Sequence, residues 1–205
     1  MHPKVLSDGG WKIVAKVRRA GLLDGWALAG GTGLALQLGH RYSEDLDLFR
    51  PEAFDPERLA NGLSGVGRTV VQSRSEDTLH ALVDGLRLSF LRARPPLLFP
   101  GTEYRDLRVA DPRDIAVMKL IAIGGRGSRK DFVDLFFYLQ SGATLDGVFD
   151  HLRRRFERLD FNEYHLLKSL AYFEHAESEP MPSMIKEIEW SDVRRCIEEE
   201  VRRLS

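Results

Sequence analysis

The stretch LAGGTGLALQLGHRYSEDLDLFR, residues 28–50, decides the reading. It sets a Gly-Gly-Thr at the head of an apolar helical run, then two aspartates two residues apart in a strand-like run. Successive side chains of a strand point to opposite faces, so residues i and i+2 share one face about 6.6 Å apart. Asp45 and Asp47 therefore project together, while Leu46 and Leu48 pack on the other side. Two neighbouring carboxylates raise each other's proton affinity, and a divalent cation removes that conflict. Mg²⁺ (or Mn²⁺) suits the pair, because a hard cation is held by one or two carboxylates plus phosphate oxygens. Gly30 and Gly31 permit unusual backbone angles and close approach of a ligand. The helix that follows aims unpaired N–H groups at an anion, and Thr32 adds a hydroxyl. Each piece has a plainer reading as well, a tight strand-to-helix turn or a solvated acidic face. The order and spacing, with Arg41 and Ser43 just ahead of the aspartates, make the combination far more specific.

Working outward, Ser7 or Asp8 caps a helix with Trp11, Val14, Val17 and Leu22 on one face, broken at Gly25. Residues 26–29 and 46–49 read as strands, with a helix over 34–38 between them. Asp55-Pro56-Glu57 starts a helix with Pro56 at its first position. Residues 70–71, 79–83 and 86–91 read as strands, the last two joined by an Asp84-Gly85 hairpin turn. Residues 92–102, with Pro95, Pro96 and Pro100, read as irregular, and 107–110 as a final short strand. From Asp111, a helix cap, the pattern is helical: Ile115, Met118, Leu120 and Ile121 face a core, Gly124 to Ser128 break the chain, and helices follow over 132–139, 144–156, 162–174 and 191–204. The expected architecture is α+β, an α/β unit over 1–105 with a helical region over 106–205 packed on it and completing the site.

The totals exclude several classes. With 30 basic and 31 acidic residues among 205, there is no global attraction to nucleic acid or anionic membrane. No apolar run approaches the roughly 20 residues that span a bilayer, and the first residues lack the apolar core of a secretory signal. Cys196 stands alone, which removes an internal disulfide framework and fits a reducing cytoplasm. It reads as a packing residue, His40 as a helix end, and the six histidines show no metal-binding spacing. Arg153, Arg154, Arg155 and Arg158 could touch RNA backbone or form a solvated face beside Asp150, Glu157 and Asp160. Glu198 with Arg202 and Glu199 with Arg203 have the spacing of surface helix pairs.

Gly30-Gly31-Thr32, Arg41-x-Ser43-x-Asp45-Leu46-Asp47-Leu48-Phe49, Lys119 and Arg129-Lys130-Asp131-x-x-Asp134-Leu135 resemble the AbiEii-type nucleotidyltransferase toxins, within the DNA polymerase beta-like nucleotidyltransferase superfamily and related to MenT-type toxins. The resemblance implies a minimal nucleotidyltransferase fold with a small mixed sheet and flanking helices, and metal-dependent transfer of NMP from an NTP. It implies RNA, tRNA in particular, as acceptor, and a toxin role beside a cognate antitoxin in a type IV-like system. A transferase acting on a small molecule or a protein, or an inactive relative that binds nucleotide or a partner, are the alternatives.

Roles follow on the matching positions. Asp45 and Asp47 would hold metal; Gly30, Gly31, Thr32 and Ser43 would cradle the nucleotide. Arg41 reads equally as a nucleotide contact or as a structural partner of a carboxylate. Lys119, which a surface-seeking lysine would explain by sequence alone, becomes a donor to the triphosphate. Arg129 and Lys130 join the nucleotide site, and Asp131 joins the catalytic set, although a helix start also favours an acid there. Asp134, inside an apolar helical run, must be paired with Arg129 or Lys119 or be a ligand, since an unpaired buried charge is costly. The family pattern has a third carboxylate on a later strand. Here that strand, Leu86-Arg87-Leu88-Ser89-Phe90, carries none; either Asp84 or Asp131 stands in, or the chain lacks a general base of that kind.

Overall fold

Helix α1, Asp8–Arg19, begins where the Ser7 hydroxyl accepts from the Gly10 N–H. It ends short of Gly25, because Gly21 at φ +71° takes the left-handed turn that closes a helix; Leu22 therefore lies past the helix. The computed structural model describes residues 1–157 and 162–204. Arg158 and Asp160 lie outside the described residues.

Strand β1, Ala27–Leu28, leads into α2, Gly30–Leu38, and then β2, Asp45–Arg50. The glycines are not a loop ahead of the helix, as expected, but its first turn. Helix α3, Pro56–Ser64, is capped by Asp55, whose carboxylate accepts from the Glu57 and Arg58 N–H groups. Strands β3 (Thr69–Ser75), β4 (Thr78–Val83), β5 (Leu86–Arg92), β6 (Thr102–Tyr104) and β7 (Leu107–Val109) follow. Strand β6 falls at the end of the stretch read as irregular. It is a three-residue edge strand turned back on β7 through Arg105 and Asp106, both at positive φ, and nearby prolines mask so short a signal.

The seven strands form one mixed sheet in the order β3-β4-β5-β2-β1-β7-β6. Strands β2 and β5 run parallel, as do β1 and β7; the other neighbours are antiparallel. One face is apolar. Leu46 and Leu48, Leu79, Ala81 and Val83, and Leu86, Leu88 and Phe90 pack against α1 and α3 through Ile13, Val14, Val17, Ala60 and Leu63. This alternation makes the opposite face polar, because a side chain one residue along points the other way. The carboxylates thus arise from the same pattern that builds the core.

The helical part consists of α4 (Pro112–Gly125), α5 (Arg129–Gln140), α6 (Leu145–Arg155), α7 (Glu163–Leu170), α8 (Glu174–Ser178) and α9 (Trp190–Leu204). Helix α4 runs on through Gly124 and Gly125, so the break is shorter than expected. The helix expected over 162–174 is two, because Phe173 turns inward to stack on Phe132 and Trp190. A core of Val117, Leu120, Phe132, Leu135, Leu152, Leu170 and Ile197 joins these helices, with Cys196 packed against it. Ala29, Leu34, Ala110 and Ile115 form a small cluster that seats α2 on α4. The arginine run is mostly committed: Arg153 pairs with Asp150 and Glu163, and Arg155 is buried near Asp114. On α9 the expected pairs give way to others. Arg203 bonds Glu200, Arg202 donates to the Glu198 carbonyl, and Glu198 faces Arg194. No helix among the described residues is long and apolar enough to cross a membrane.

Candidate active site

The start of α2, the head of β2 and the α4–α5 junction meet around a cavity of about 360 Å³. Gly31, Arg41, Ser43, Asp45, Asp47, Lys119 and Lys130 line it, together with Tyr42, Glu44, Arg126 and Ser183. The sequence brings Asp45 and Asp47 to one face of β2, as the period of two requires. Asp45 is about half exposed and faces Arg87 at 3.9 Å. Asp47 is deeper: burial raises its carboxyl above the ordinary value, against Lys119 and a hydrogen bond from Ser89.

Both glycines are needed by their neighbours. Gly30 adopts φ +57°, and a Cβ there would collide with the Asp47 carboxylate. A Cβ on Gly31 would collide with the Arg41 guanidinium. The Thr32 hydroxyl is buried and bonds the Asp45 carbonyl, and its oxygen lies 2.7 Å from Ser43 Oγ. With one proton to give, Thr32 donates to the carbonyl and accepts from Ser43. It therefore pins the start of β2 to α2.

Behind the cavity lies a buried ionic cluster. Asp134 receives Arg41 through Nε at 2.6 Å and Nη2 at 2.8 Å, His40 Nε2 at 2.8 Å and Lys119 Nζ at 2.6 Å. Burial pushes the Asp134 carboxyl up, but Lys119, Arg41 and His40 outweigh it and hold it well below the usual carboxylate range. Asp131 receives Lys119 at 2.8 Å and Arg126 at 2.9 Å, and is fully buried. Burial lowers the Lys119 pKa, yet Asp134 and Asp131 raise it above the ordinary lysine value, so the amine stays charged at the cavity wall. Burial likewise lowers the His40 pKa despite the Asp134 bond. His40 is thus a member of this cluster rather than a mere helix end.

The structure does not bring every expected residue to the cavity. Arg129 turns away, donating to the Ala176 and Glu177 carbonyls and lying over the Trp190 ring. Neither Arg129 nor Asp134's expected pairing with it is realised; Arg41 takes that place. Asp84 sits at the hairpin tip, bonded to the Arg68 N–H and Lys16, so it is no third carboxylate. Sequence reasoning does not reach Arg126, Tyr42, Glu44 or Ser183. Arg126 hides in a glycine-rich break, and Ser183 arrives through a non-regular segment whose carbonyl accepts from the Tyr42 N–H.

The donor set fits one kind of cation. Among the described residues no group of three or more His, Cys, Asp or Glu forms a protein-only metal cage. Two same-face carboxylates, one with its charge disfavoured by burial, suit a cation that completes its shell with phosphate oxygens.

A carboxylate pair beside a glycine-started helix and a buried charged lysine, on a small mixed sheet with flanking helices, define a nucleotidyltransferase. The model of the family described as "Nucleotidyl transferase AbiEii toxin, Type IV TA system" matches residues 13–94 and 87–202. The chain belongs to the AbiEii nucleotidyltransferase toxin family. An uncharacterized protein of Aquifex aeolicus (strain VF5) is 36% identical over 198 residues, covering 93% of each chain. The fold is similar to that of MenT4, a nucleotidyltransferase toxin from Mycobacterium tuberculosis H37Rv, at TM-score 0.54 and 18% identity over 97% of this chain and 87% of that one. It is also similar to the antibiotic-resistance factor ANT(2'')-Ia, at TM-score 0.54 and 15% identity over 75% of this chain and 96% of that one.

Proposed function

We propose that this chain transfers NMP from an NTP to a hydroxyl of RNA, tRNA in particular, and acts in the cytoplasm as the toxin restrained by a cognate antitoxin. The observation that carries this is the placement of Asp45 and Asp47 on one strand face opposite Lys119, around a single cavity. The first N–H groups of α2 stand beside it and favour an anion. Asp45 and Asp47 would hold Mg²⁺ or Mn²⁺, which when bound offsets phosphate charge. Lys119, Arg126 and Lys130 present positive charge to the triphosphate, and Gly30 gives Asp47 its room. Ser43 lines the cavity with its proton committed to Thr32, while Arg41, Asp131 and Asp134 act from behind by fixing Lys119 and Arg126. The α/β part, residues 1–105, supplies the carboxylates and the helical part, 106–205, the cations. Arg87, Arg126 and Lys130 around the carboxylates favour an anionic acceptor over a cationic small molecule.

The test incubates purified protein with each labelled NTP, MgCl₂ and total tRNA. Label in RNA that disappears in Asp45→Ala and Asp47→Ala is the expected result. Label on small molecules or protein alone, or nucleotide binding with no transfer to any acceptor, would overturn it.

A further inference from the structure

We infer that His80, steadied by Ser89, receives the proton of the acceptor hydroxyl, at the place where the later strand carries no carboxylate. The inference rests on the nucleotidyl-transfer reading above. Strand register makes the case. Asp47 pairs with Ser89 across β2 and β5, Ser89 with His80 across β5 and β4, and His80 with Ser73 across β4 and β3. Directly paired residues point to the same side of a sheet, so these four form one row on the polar face. A second cavity, of about 480 Å³, lies along the row. It shares Asp45, Asp47, Arg126 and Lys130 with the first but extends to Ser73 and His80 instead of Gly31 and Lys119. The carboxylate pair thus divides two spaces, one at the helix N-terminus for the nucleotide and one over the outer strands for the group that attacks it.

Hydrogen bonding sets the histidine's form. Ser89 faces Asp47 across the strand pair and, as a donor to it, favours the ionised carboxylate. Its lone pair is then left for His80, whose Nδ1 is 2.9 Å away. The 2.9 Å contact itself fits either tautomer; with Ser89 donating to Asp47, Nδ1 carries the hydrogen and Nε2, to which no protein group among the described residues bonds, keeps its lone pair. The row from carboxylate through hydroxyl to imidazole holds the ring and its tautomer as a buried carboxylate does in a hydrolase triad. The charged groups around the cavity are Asp45 and Asp47 from β2, Arg87 from β5, and Arg126 and Lys130 from the α4–α5 junction. In the step itself the acceptor oxygen bonds the α-phosphorus and the bond from phosphorus to the bridging oxygen breaks. Pyrophosphate leaves with that electron pair, and the hydroxyl proton passes to His80 Nε2 and on to solvent.

Two variants test it in the labelled-NTP and tRNA assay, with NTP binding measured separately by calorimetry. His80→Asn keeps an amide donor toward Ser89 but has no base. It is expected to bind NTP as wild type does and to lose about 10²–10⁴-fold in transfer rate, the range of a positioned proton acceptor. His80→Ala is expected to lose as much and to regain rate when free imidazole is added, which a structural role would not allow. Transfer at the wild-type rate by His80→Asn, loss of NTP binding along with rate, or no rescue of His80→Ala would overturn the assignment. Wild-type protein that transfers nothing would sink the nucleotidyl-transfer reading itself; active wild type with an equally active His80→Asn sinks only the histidine's part.

Discussion

Arg41 grips both oxygens of Asp134, at 2.6 and 2.8 Å, across 93 positions of sequence. The pair ties the loop ahead of the carboxylate strand to the helix that follows Lys119. Five charged or polar groups, His40, Arg41, Lys119, Asp131 and Asp134, share this buried space, so removing one leaves others short of a partner. Asp134→Ala strands Arg41 in the interior, leaves Lys119 only Asp131, and is expected to cost about 3–5 kcal/mol. Guanidinium denaturation at neutral pH, with unchanged m-value, checks it; a loss under 1 kcal/mol would show that water reaches the cluster.

The same carboxylate gives stability a defined acid dependence. Burial pushes its pKa up, but Lys119, Arg41 and His40 hold it well below the ordinary value. The folded form therefore binds fewer protons here than the unfolded chain, so stability rises with pH. The contribution is complete above the unfolded carboxylate value, about 3.9, and is lost as pH falls through the lower folded value. Melting curves between pH 7 and pH 2 should show a steep acid fall, flattened in Asp134→Asn. Parallel slopes for the two proteins would contradict the cluster's charge assignment.

Sequence shows the carboxylate face plainly because Asp45 to Leu48 alternate strictly and the two leucines demand a core. The buried helix bearing Asp134 is legible as a problem, a charge needing a partner, and Lys119, one of the two partners the sequence offers, is found at 2.6 Å; Arg41 is not legible, since it lies far off in sequence and spacing says nothing of it. Arg129 has the right neighbours in the motif, yet a helix turn aims it at Trp190 instead. The row of Ser89 and His80 was invisible for another reason. It exists only through the register of three strands, two joined by the hairpin and one brought in by a parallel crossover. Thr32 and Gly30 have protein groups close by, the Asp45 carbonyl and the Asp47 carboxylate, while Gly31 lines the cavity itself.

Asp47 is expected to trade stability for function. Burial raises its pKa, so the folded form holds this proton more tightly than the unfolded chain does, and the fold loses stability as pH rises through the ordinary carboxylate value. Asp47→Asn removes that burden and should melt above wild type at pH 7 without added metal. Adding MgCl₂ and NTP should then reverse the order, since a ligand at a hundred times its Kd stabilises by about 2.7 kcal/mol and the amide cannot hold the cation. Differential scanning calorimetry in both conditions checks the crossing. A lower Tm for the variant without ligand would mean that the Ser89 and Lys119 contacts already satisfy the carboxylate.

Gly30→Ala tests whether the glycine serves the carboxylate or only the turn. A left-handed backbone costs a non-glycine residue about 1–2 kcal/mol, which alone would leave a folded, active enzyme. The added Cβ, however, meets the Asp47 carboxylate, not a flexible surface group. Either α2 shifts off β2 or Asp47 rotates away from the cavity, and a displacement of about 1 Å in a reacting site is enough to cost roughly 10²-fold. The expected variant is folded, modestly destabilised and slower by about two orders of magnitude in RNA labelling. Gly125→Ala supplies the contrast, because nothing lies within 4 Å of its added Cβ and alanine favours a helix by up to about 1 kcal/mol. Equal activity losses in the two variants would show that the site tolerates neither change for general reasons, and would remove Gly30 from its place beside Asp47.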